Sequence, residues 1–215
     1  MKLEWRKQEK ELYHPTGTPA LITVPEQKFI KIKGHGDPNG EDFSLRVGAL
    51  YSLAYAIKMQ YKALNKNQIS PEDITDFTVY PLEGIWDFVE PAIQKKAAPL
   101  NKDNLRYTIM IRQPDFITQD LYDSALESVC VKKPDSLYRE IVFDTYEDGL
   151  CVEILHTGSF DEEPASFGKL DRFAAEHRLQ RRTGWHREIY LTNANRTPPE
   201  KAKTILRYPV EKETS

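Results

Sequence analysis

The segments FIKIKGHGDPNGEDF, residues 29 to 43, and VEILHTGSFDEEPASF, residues 152 to 167, follow the same plan. Each begins with alternating apolar residues that predict a β-strand, turns at a glycine followed by acidic residues, and enters a helix. Further strand-like segments follow each helix. We therefore predict two copies of a strand-helix-strand-strand unit, although few residues are identical between the copies.

The first copy contains a long amphipathic helix. After the turn, apolar residues recur at steps of three and four and mark one face of a helix of about five or six turns; they are Phe43, Val47, Leu50, Ala54, Ile57, Tyr61 and Leu64. Strands are predicted at residues 77 to 82, 85 to 89 and 106 to 112. A polar linker with Lys95, Lys96 and Pro99 precedes the last of these strands.

The second copy repeats this order after a helix predicted at residues 115 to 130. Strands are predicted at residues 139 to 143 and 151 to 155, a helix runs through Leu170 and His177 towards a stop at Gly184, and strands follow around Glu188 and at residues 203 to 208. One such unit leaves a sheet face uncovered, so two units must share a core. We predict an N-terminal arm (1 to 19), one domain (20 to 210) with modules at 20 to 113 and 114 to 210, and a tail (211 to 215).

Composition excludes several functional classes. The net charge of -3 argues against a broad phosphate-binding surface, and no run of about 18 apolar residues indicates a membrane span. Cys130 and Cys151 form no C-x-x-C pair, the histidines lack metal-binding spacing, and GHG is too short for a dinucleotide loop. We expect a cytoplasmic protein without a metal, without another cofactor, and with no direct contact to nucleic acid or membrane.

The stretch TGWHREIYLTNANR, residues 183 to 196, carries the strongest functional signal. Strand alternation places His186, Glu188 and Tyr190 on one side, and Ile189 and Leu191 on the other. We expect the Ile-Leu side to pack on the helices and the other side to face a cleft. A carboxylate walled by aromatic rings loses water, which raises its pKa and makes it a usable base or a counter-ion for a cationic ligand.

A second group of polar residues lies in HTGSFDEEP, residues 156 to 164. Ser159 and His156 could suggest a hydrolase, but the segment lacks the G-x-S-x-G turn that exposes a nucleophilic serine. We instead expect Ser159, Asp161 and Glu162 to cap the following helix.

These segments together resemble the GyrI-like small-molecule-binding domains, which include the ligand-sensing halves of some multidrug-responsive transcription regulators. The matching pieces run from about residue 20 to residue 210 and are FIKIKGHGDPNGEDF with ALYSLAYAIKM, YPLEGIW, TIMIRQPDF, HTGSFDEEP and HREIYLTNANRTPPEKAKTILRYPV. The resemblance implies an α+β fold of two pseudo-symmetric modules, with a curved antiparallel sheet, helices on one side and a central ligand cleft. Only about 19 residues precede the domain, so we expect no DNA-binding helix-turn-helix before it.

The resemblance also indicates residues of the site. Family members that bind lipophilic cations are thought to use a buried glutamate at the position of Glu188. Family members often place aromatic residues at Trp86, which shares a strand face with Phe88, although Asp87 stands where a second tryptophan is common. Such rings favour planar ligands. Further candidates for the ligand wall are Tyr51, Tyr55, Met59, Phe160 and His186.

Of three possible functions, we expect the first, a hydrolase that detoxifies hydrophobic planar compounds. Some stand-alone GyrI-like proteins hydrolyse cyclopropane-bearing, DNA-alkylating natural products; here Glu188 would deprotonate a water, and Tyr190 or Tyr55 would donate to the substrate carbonyl without a cofactor. The alternative is a non-catalytic module that binds or sequesters planar or cationic lipophilic compounds. A module that inhibits another protein through exposed loops would not need Glu188, and the sequence shows no evident protein partner.

Overall fold

The computed structural model describes residues 1–67, 70, 73–89, 102–193 and 196–213. Its α-helices are α1 (Trp5–Gln8), α2 (Lys10–Tyr13), α3 (Glu41–Leu64), α4 (Gln119–Lys132) and α5 (Glu163–Glu176). Its strands are β1 (Lys2–Leu3), β2 (Ala20–Val24), β3 (Gln27–His35), β4 (Asp76–Phe77), β5 (Leu82–Phe88), β6 (Leu105–Gln113), β7 (Val142–Tyr146), β8 (Gly149–Thr157), β9 (Leu179–Arg181), β10 (His186–Tyr190) and β11 (Lys203–Lys212). The predicted linker at Lys95, Lys96 and Pro99 lies outside the described residues.

Nine of the described strands form one open antiparallel sheet. Its order is β2, β8, β11, β10, β5, β6, β3, β7, and β9 pairs with β11. One half contains β3, β5 and β6, which flank α3 in the sequence, and the other contains β8, β10 and β11, which flank α5. The two predicted units therefore join edge to edge through β5 and β10, and the α+β fold class is confirmed.

Helix α3 provides much of the core of the first half. Its buried residues are Ala49, Leu50, Leu53, Ala54 and Ile57, so the middle of the predicted apolar stripe does pack on the sheet. Leu64, at the end of that stripe, is 75% exposed, so the prediction is wrong there. None of the described helices combines the length and the apolar character needed to cross a membrane.

Several predicted element boundaries differ from the structure. The strand predicted at residues 77 to 82 is divided: Phe77 ends β4, which pairs with β1 in a separate small sheet, and Leu82 begins β5. The helix predicted from residue 115 begins only after Thr118, whose side chain accepts a hydrogen bond from the backbone N–H of Leu121. Helix α5 ends at Glu176, well before Gly184, and β9 occupies part of the intervening segment.

The two faces of the large sheet are covered by different parts of the chain. We call the face that carries His186, Glu188 and Tyr190 the front face, and the opposite one the back face. In the pairing of β10 with β5, His186 lies opposite Trp86 and Glu188 lies opposite Gly84. Because directly paired residues share a face, Trp86 and Gly84 also belong to the front face.

The long helices cover the front face. Phe43 of α3 packs against Trp86 with ring centroids 5.8 Å apart, and Phe167 of α5 packs edge-on against His186 at 4.8 Å. The prediction that the Ile189 side of β10 would contact these helices, leaving the glutamate side away from them, is therefore wrong.

The N-terminal arm packs on the back face of the sheet. Glu9 pairs with Arg112 of β6, the Arg207 guanidinium of β11 donates to the carbonyl of Leu12 over 3.1 Å, and the Trp5 indole donates to the carbonyl of Val79 over 3.0 Å. Ile189 is only 1% exposed and lies on this back face, opposite Glu83 in the pairing of β10 with β5. The apolar side of β10 is thus buried without the long helices.

Candidate functional site

Glu188 lies at the centre of the large sheet, in one of the two strands that join its halves. Glu188 is only 7% exposed. The Nε2 atom of His186 lies 2.9 Å from Oε1, and the Tyr190 hydroxyl donates to Oε2 over 2.7 Å. The three side chains share one face, as strand alternation predicts, and both carboxyl oxygens of Glu188 have a hydrogen-bond partner.

Tyr190 connects Glu188 with Trp86. The Trp86 indole N–H donates to the Tyr190 hydroxyl oxygen over 2.9 Å, so the tyrosine accepts one hydrogen bond from Trp86 and donates another to Glu188. Burial, and then the charge of Glu188, raise the pKa of Tyr190 well above its usual range. The phenol therefore keeps its proton at neutral pH and acts as a donor that orients the carboxyl group.

Gly84 makes room for this hydrogen-bond chain. A Cβ atom at this position would lie 2.6 Å from Nε1 of Trp86 and 3.3 Å from the hydroxyl oxygen of Tyr190. Since Gly84 is directly opposite Glu188 in the sheet, the missing side chain leaves space above the strand for the tryptophan and tyrosine to meet.

Trp86 is part of the apolar core as well as of the site. It is 6% exposed and packs against Phe43 and Tyr107, with ring centroids 5.8 and 5.3 Å away. Phe88 is half-buried and follows Trp86 on the same face of β5. Core packing fixes the tryptophan ring, which in turn fixes its bond to Tyr190.

The other predicted wall residues lie further out. Phe160 is 56% exposed and meets Tyr190 edge-on at 6.1 Å. Tyr51 is half-buried beside the backbone of Leu82, and burial raises its pKa. Tyr55 and Met59, one and two helical turns further along α3, are 54% and 59% exposed. Within the described part of the chain, no hydrogen bond connects Tyr55 or Met59 to Glu188.

A second buried carboxyl group, which sequence reasoning missed, lies at the start of α5, one helical turn before Phe167, whose ring packs against His186. Glu163 is the first residue of α5, is 6% exposed, and its Oε1 atom has no hydrogen-bond partner among the described residues. Burial, and then the charge of Glu188, raise the pKa of Glu163 to about 9. A helix N-terminus favours a carboxylate by only about 0.3–1 kcal/mol, whereas burying an ion costs several kcal/mol. Glu163 is therefore a neutral acid at neutral pH.

The start of α5 is held by a compact set of hydrogen bonds. The backbone N–H of Ser159 donates to the Glu162 carboxylate over 3.0 Å, which confirms the expected capping role of these two residues. His156, only 4% exposed, lies 2.9 Å from the hydroxyl of Ser166 through Nδ1 and 3.0 Å from the carbonyl of Ser159 through Nε2. The histidine thus contacts the carbonyl of Ser159 and not its hydroxyl, and it anchors the turn that carries Glu163.

Arg187, between His186 and Glu188 in sequence, points to the back face. Its side chain is 1% exposed, donates to Glu83 over 2.8 Å, and lies 3.1 Å from Asp148. The guanidinium therefore does not clamp Glu188, whose carboxyl group faces the other way. This buried ion cluster supports the strand from behind.

A shallow groove lies elsewhere, between α3 and α4. Its volume is about 390 Å³, and its lining residues are Gln60, Ala63, Leu64, Thr118, Asp120, Leu121 and Ser124. None of the site residues predicted from the sequence lines it. Across the described ranges, no group of three or more His, Cys, Asp or Glu side chains is placed to hold a metal ion.

Comparison with known families gives a match over most of the chain. The model of the GyrI-like small molecule binding domain matches residues 18 to 211. The chain belongs to the GyrI-like family. The buried Glu188 and its aromatic neighbours therefore lie in a small-molecule-binding domain, as the sequence resemblance implies.

Three solved structures from Listeria innocua are similar to this GyrI-like chain over nearly its whole length. An uncharacterized conserved protein is 36% identical, with a TM-score of 0.85, 97% of this chain covered and 100% of the other. A hydrolase is 34% identical, with a TM-score of 0.82 and the same coverage. A hydrolase encoded by lin2189 is 35% identical, with a TM-score of 0.84, 98% of this chain covered and 100% of the other.

More distant similarity extends to a regulator. The EcmrR C-terminal domain is 13% identical, with a TM-score of 0.55, and the match covers 91% of this chain and 98% of that domain. At this identity the likeness shows a shared fold alone. The comparison with curated proteins gives no significant match.

Proposed function

We propose that this protein is a cofactor-independent hydrolase that opens the cyclopropane ring of hydrophobic, planar, DNA-alkylating compounds, and that Glu188 is its general base. The observation that carries the proposal is a buried carboxyl group held by Tyr190 and His186 on the helix-covered face of the sheet. Relatives described as hydrolases, at 34% and 35% identity over almost the whole chain, support the reaction class.

The proposed reaction adds one water to the substrate. Glu188 takes a proton from the water, the water oxygen forms a bond to a ring methylene carbon, and the adjacent ring C–C bond breaks. Its electron pair moves into the conjugated carbonyl, whose oxygen then takes up a proton. Ring strain supplies much of the driving force, and a positioned general base contributes about 10²–10⁴-fold in rate.

The hydrogen-bond pattern favours different roles for the two candidate tyrosines. The hydroxyl hydrogen of Tyr190 is already engaged by Glu188, so we assign Tyr190 the task of orienting the base. Tyr55 makes no hydrogen bond to Glu188 within the described residues and is exposed, so it is the better candidate to donate to the substrate carbonyl. We propose that the wall around a bound ring system comprises Trp86, Phe88, Tyr51, Met59, Phe160 and His186.

Product analysis in isotopically labelled water tests this function. A cyclopropane-bearing compound is incubated with a small fraction of an equivalent of protein, and the products are counted by mass spectrometry. We expect many ring-opened products per protein molecule, each with one labelled oxygen. Tyr55→Phe should lower the turnover number by about 100-fold, since one donor to the developing charge is lost. Recovery of unchanged compound, protected only up to one equivalent, would contradict hydrolysis.

A non-catalytic binding function is the second candidate, and the environment of Glu188 favours it specifically. A buried carboxyl group beside aromatic side chains can serve as counter-ion to a flat lipophilic cation, because such rings attract cations as well as planar surfaces. In this case Glu188→Gln should weaken the binding of cations and leave the binding of neutral planar compounds nearly unchanged. Equal affinities of the variant and the wild type for cations would contradict it.

A further inference from the structure

We propose that Glu163 and Glu188 form an acid–carboxylate pair that shares one proton at neutral pH, that Glu163 holds this proton, and that a cation binding at Glu188 releases it. The inference rests on the proposed role of Glu188 as the ligand-contacting group. It adds a second acidic residue to the site, and it makes Glu163 a positioning residue that acts through Glu188.

The hydrogen bonds around the two carboxyl groups decide which one keeps the proton. Glu188 has Tyr190 as a donor at Oε2 and His186 beside Oε1, and donors favour an ionised carboxylate. The Oε1 atom of Glu163 has no such partner among the described residues, although the residue is 6% exposed. A buried oxygen without a donor disfavours the negative charge, so the proton belongs on Glu163.

Both groups cannot be ionised together without cost. Glu163 is the first residue of α5, and Phe167, one turn further along that helix, packs edge-on against His186 at 4.8 Å, so the start of α5 lies over the strand that carries Glu188. There the negative charge of Glu188 disfavours a second negative charge on Glu163 or on Tyr190. Like charges that share a poorly solvated site titrate as a pair, and the first proton is lost far more easily than the second.

The other polar groups that face Glu163, Glu188 and Tyr190 do not supply a permanent positive charge that could take the place of the proton on Glu163. His186 and Tyr190 face Glu188 from its own strand, and Trp86 faces Tyr190 from β5. From β8 and the turn before α5, His156 is bonded to Ser166 and Ser159, and Glu162 caps Ser159. On α3, Tyr51 lies against the backbone of Leu82. None of these front-face groups is a lysine or an arginine, and Arg187 is occupied on the back face.

A ligand with a fixed positive charge changes this balance. Its charge stabilises the second carboxylate, so Glu163 gives its proton to the solvent as the cation binds. By linkage, the affinity for such a cation should rise by up to about tenfold per pH unit over the range in which one proton is released. A neutral planar ligand should show no comparable increase.

NMR titration of the glutamate carboxyl groups tests the pair without any ligand. We expect one carboxyl resonance of the wild type that titrates well above the ordinary range, that disappears in Glu163→Gln, and that titrates at lower pH in Glu188→Gln. Glu176→Gln, at the exposed far end of α5, is the matched control and should leave it unchanged. Glu83 and Glu153, whose pKa values burial also raises, should titrate alike in all four proteins. Any high-pH carboxyl titration that persists in Glu163→Gln, other than those of Glu83 and Glu153, would overturn the assignment.

Calorimetry tests the release of the proton. Binding of tetraphenylphosphonium, which has a fixed charge and no titratable proton, is measured in two buffers of different ionisation enthalpy near neutral pH. We expect the wild type to release about one proton per bound cation and Glu163→Gln to bind without release.

Binding by the wild type without release overturns the inference but leaves the ligand site intact. Absence of tetraphenylphosphonium binding contradicts both the proton-sharing pair and the ligand site at Glu188. Proton release in a protein that shows no turnover leaves the inference standing and contradicts only the hydrolase function.

Discussion

The hydroxyl of Tyr190 donates to Oε2 of Glu188 over 2.7 Å, and the Tyr190 hydroxyl oxygen accepts the indole N–H of Trp86 over 2.9 Å. The raised pKa of Tyr190 keeps the phenol protonated, so the direction of this chain is fixed from tryptophan through tyrosine to carboxylate. A single phenol thereby ties the orientation of the carboxyl group to a ring that is packed in the core.

Tyr190→Phe should therefore affect both activity and stability. The variant leaves the indole N–H of Trp86 without its acceptor and Glu188 without one donor. We expect a loss of about 1–3 kcal/mol in the free energy of unfolding and a clear decrease in kcat/KM. A double-mutant cycle with Trp86→Phe should show a coupling energy of about 0.5–3 kcal/mol. Strictly additive effects of the two substitutions would show that the hydrogen bond contributes nothing.

Gly84→Ala should disturb the same chain from the opposite strand. The new Cβ atom would lie 2.6 Å from Nε1 of Trp86, so the indole must move away from Tyr190. Overpacking of this kind costs about 1–3 kcal/mol in unfolding free energy. Gly48→Ala in α3 is the control, because nothing lies within 4 Å of its added Cβ, and it should stabilise the helix by about 0.5–1 kcal/mol. Chemical denaturation distinguishes these opposite signs, and two changes of the same sign would contradict the geometry.

Arg187→Met should destabilise the protein strongly without altering the front face. The substitution leaves the buried carboxylates of Glu83 and Asp148 without their cation, which costs about 3–5 kcal/mol. Arg106→Met is the matched control, since the side chain of Arg106 is 59% exposed and its ion pair with Asp87 lies at the surface. Its loss should be about 0–1 kcal/mol. Urea unfolding of both variants measures the difference, and similar small losses would argue against the buried cluster.

The raised pKa of Glu163 should make stability depend on pH. The folded protein keeps a proton that the unfolded chain loses at its ordinary pKa of 4.5, so this group favours folding most below that pH, and the benefit is lost as the pH rises towards about 9. Glu163→Gln removes the titration. At neutral pH the variant should gain at least about 1 kcal/mol relative to the wild type, whereas this gain should vanish near pH 4. Denaturation at several pH values tests this, and a pH-independent difference would contradict it.

Much of the site follows from strand geometry alone. Because side chains alternate strictly along a strand, the sequence of β10 is sufficient to place His186, Glu188 and Tyr190 together. The same pattern does not say which face the long helices cover. Ile189 needs apolar cover, and the arm that carries Trp5 lies on the same face of the sheet as Ile189. The sequence of the strand contains no information on that choice.

The burial of Glu163 could not be predicted from the sequence, for a different reason. Glu162 and Glu163 are adjacent acids at the start of one helix, and both satisfy the general preference for negative charge there. Only the packing of α5 on the sheet buries Glu163, which is 6% exposed, while Glu162 bonds to Ser159. A local pattern cannot separate two such neighbours, because the difference arises from contacts with a strand that lies more than twenty residues further along the chain.

Comparison of Glu188→Gln with the wild type tests the general-base role most directly. Glutamine has nearly the same shape but cannot take a proton from water, so we expect a turnover number at least about 100-fold lower and little change in affinity for a neutral cyclopropane substrate. Glu176→Gln should behave like the wild type. Steady-state turnover and equilibrium binding, measured on the same preparations, give both quantities. A Glu188→Gln protein that opens the ring as fast as the wild type would contradict the account.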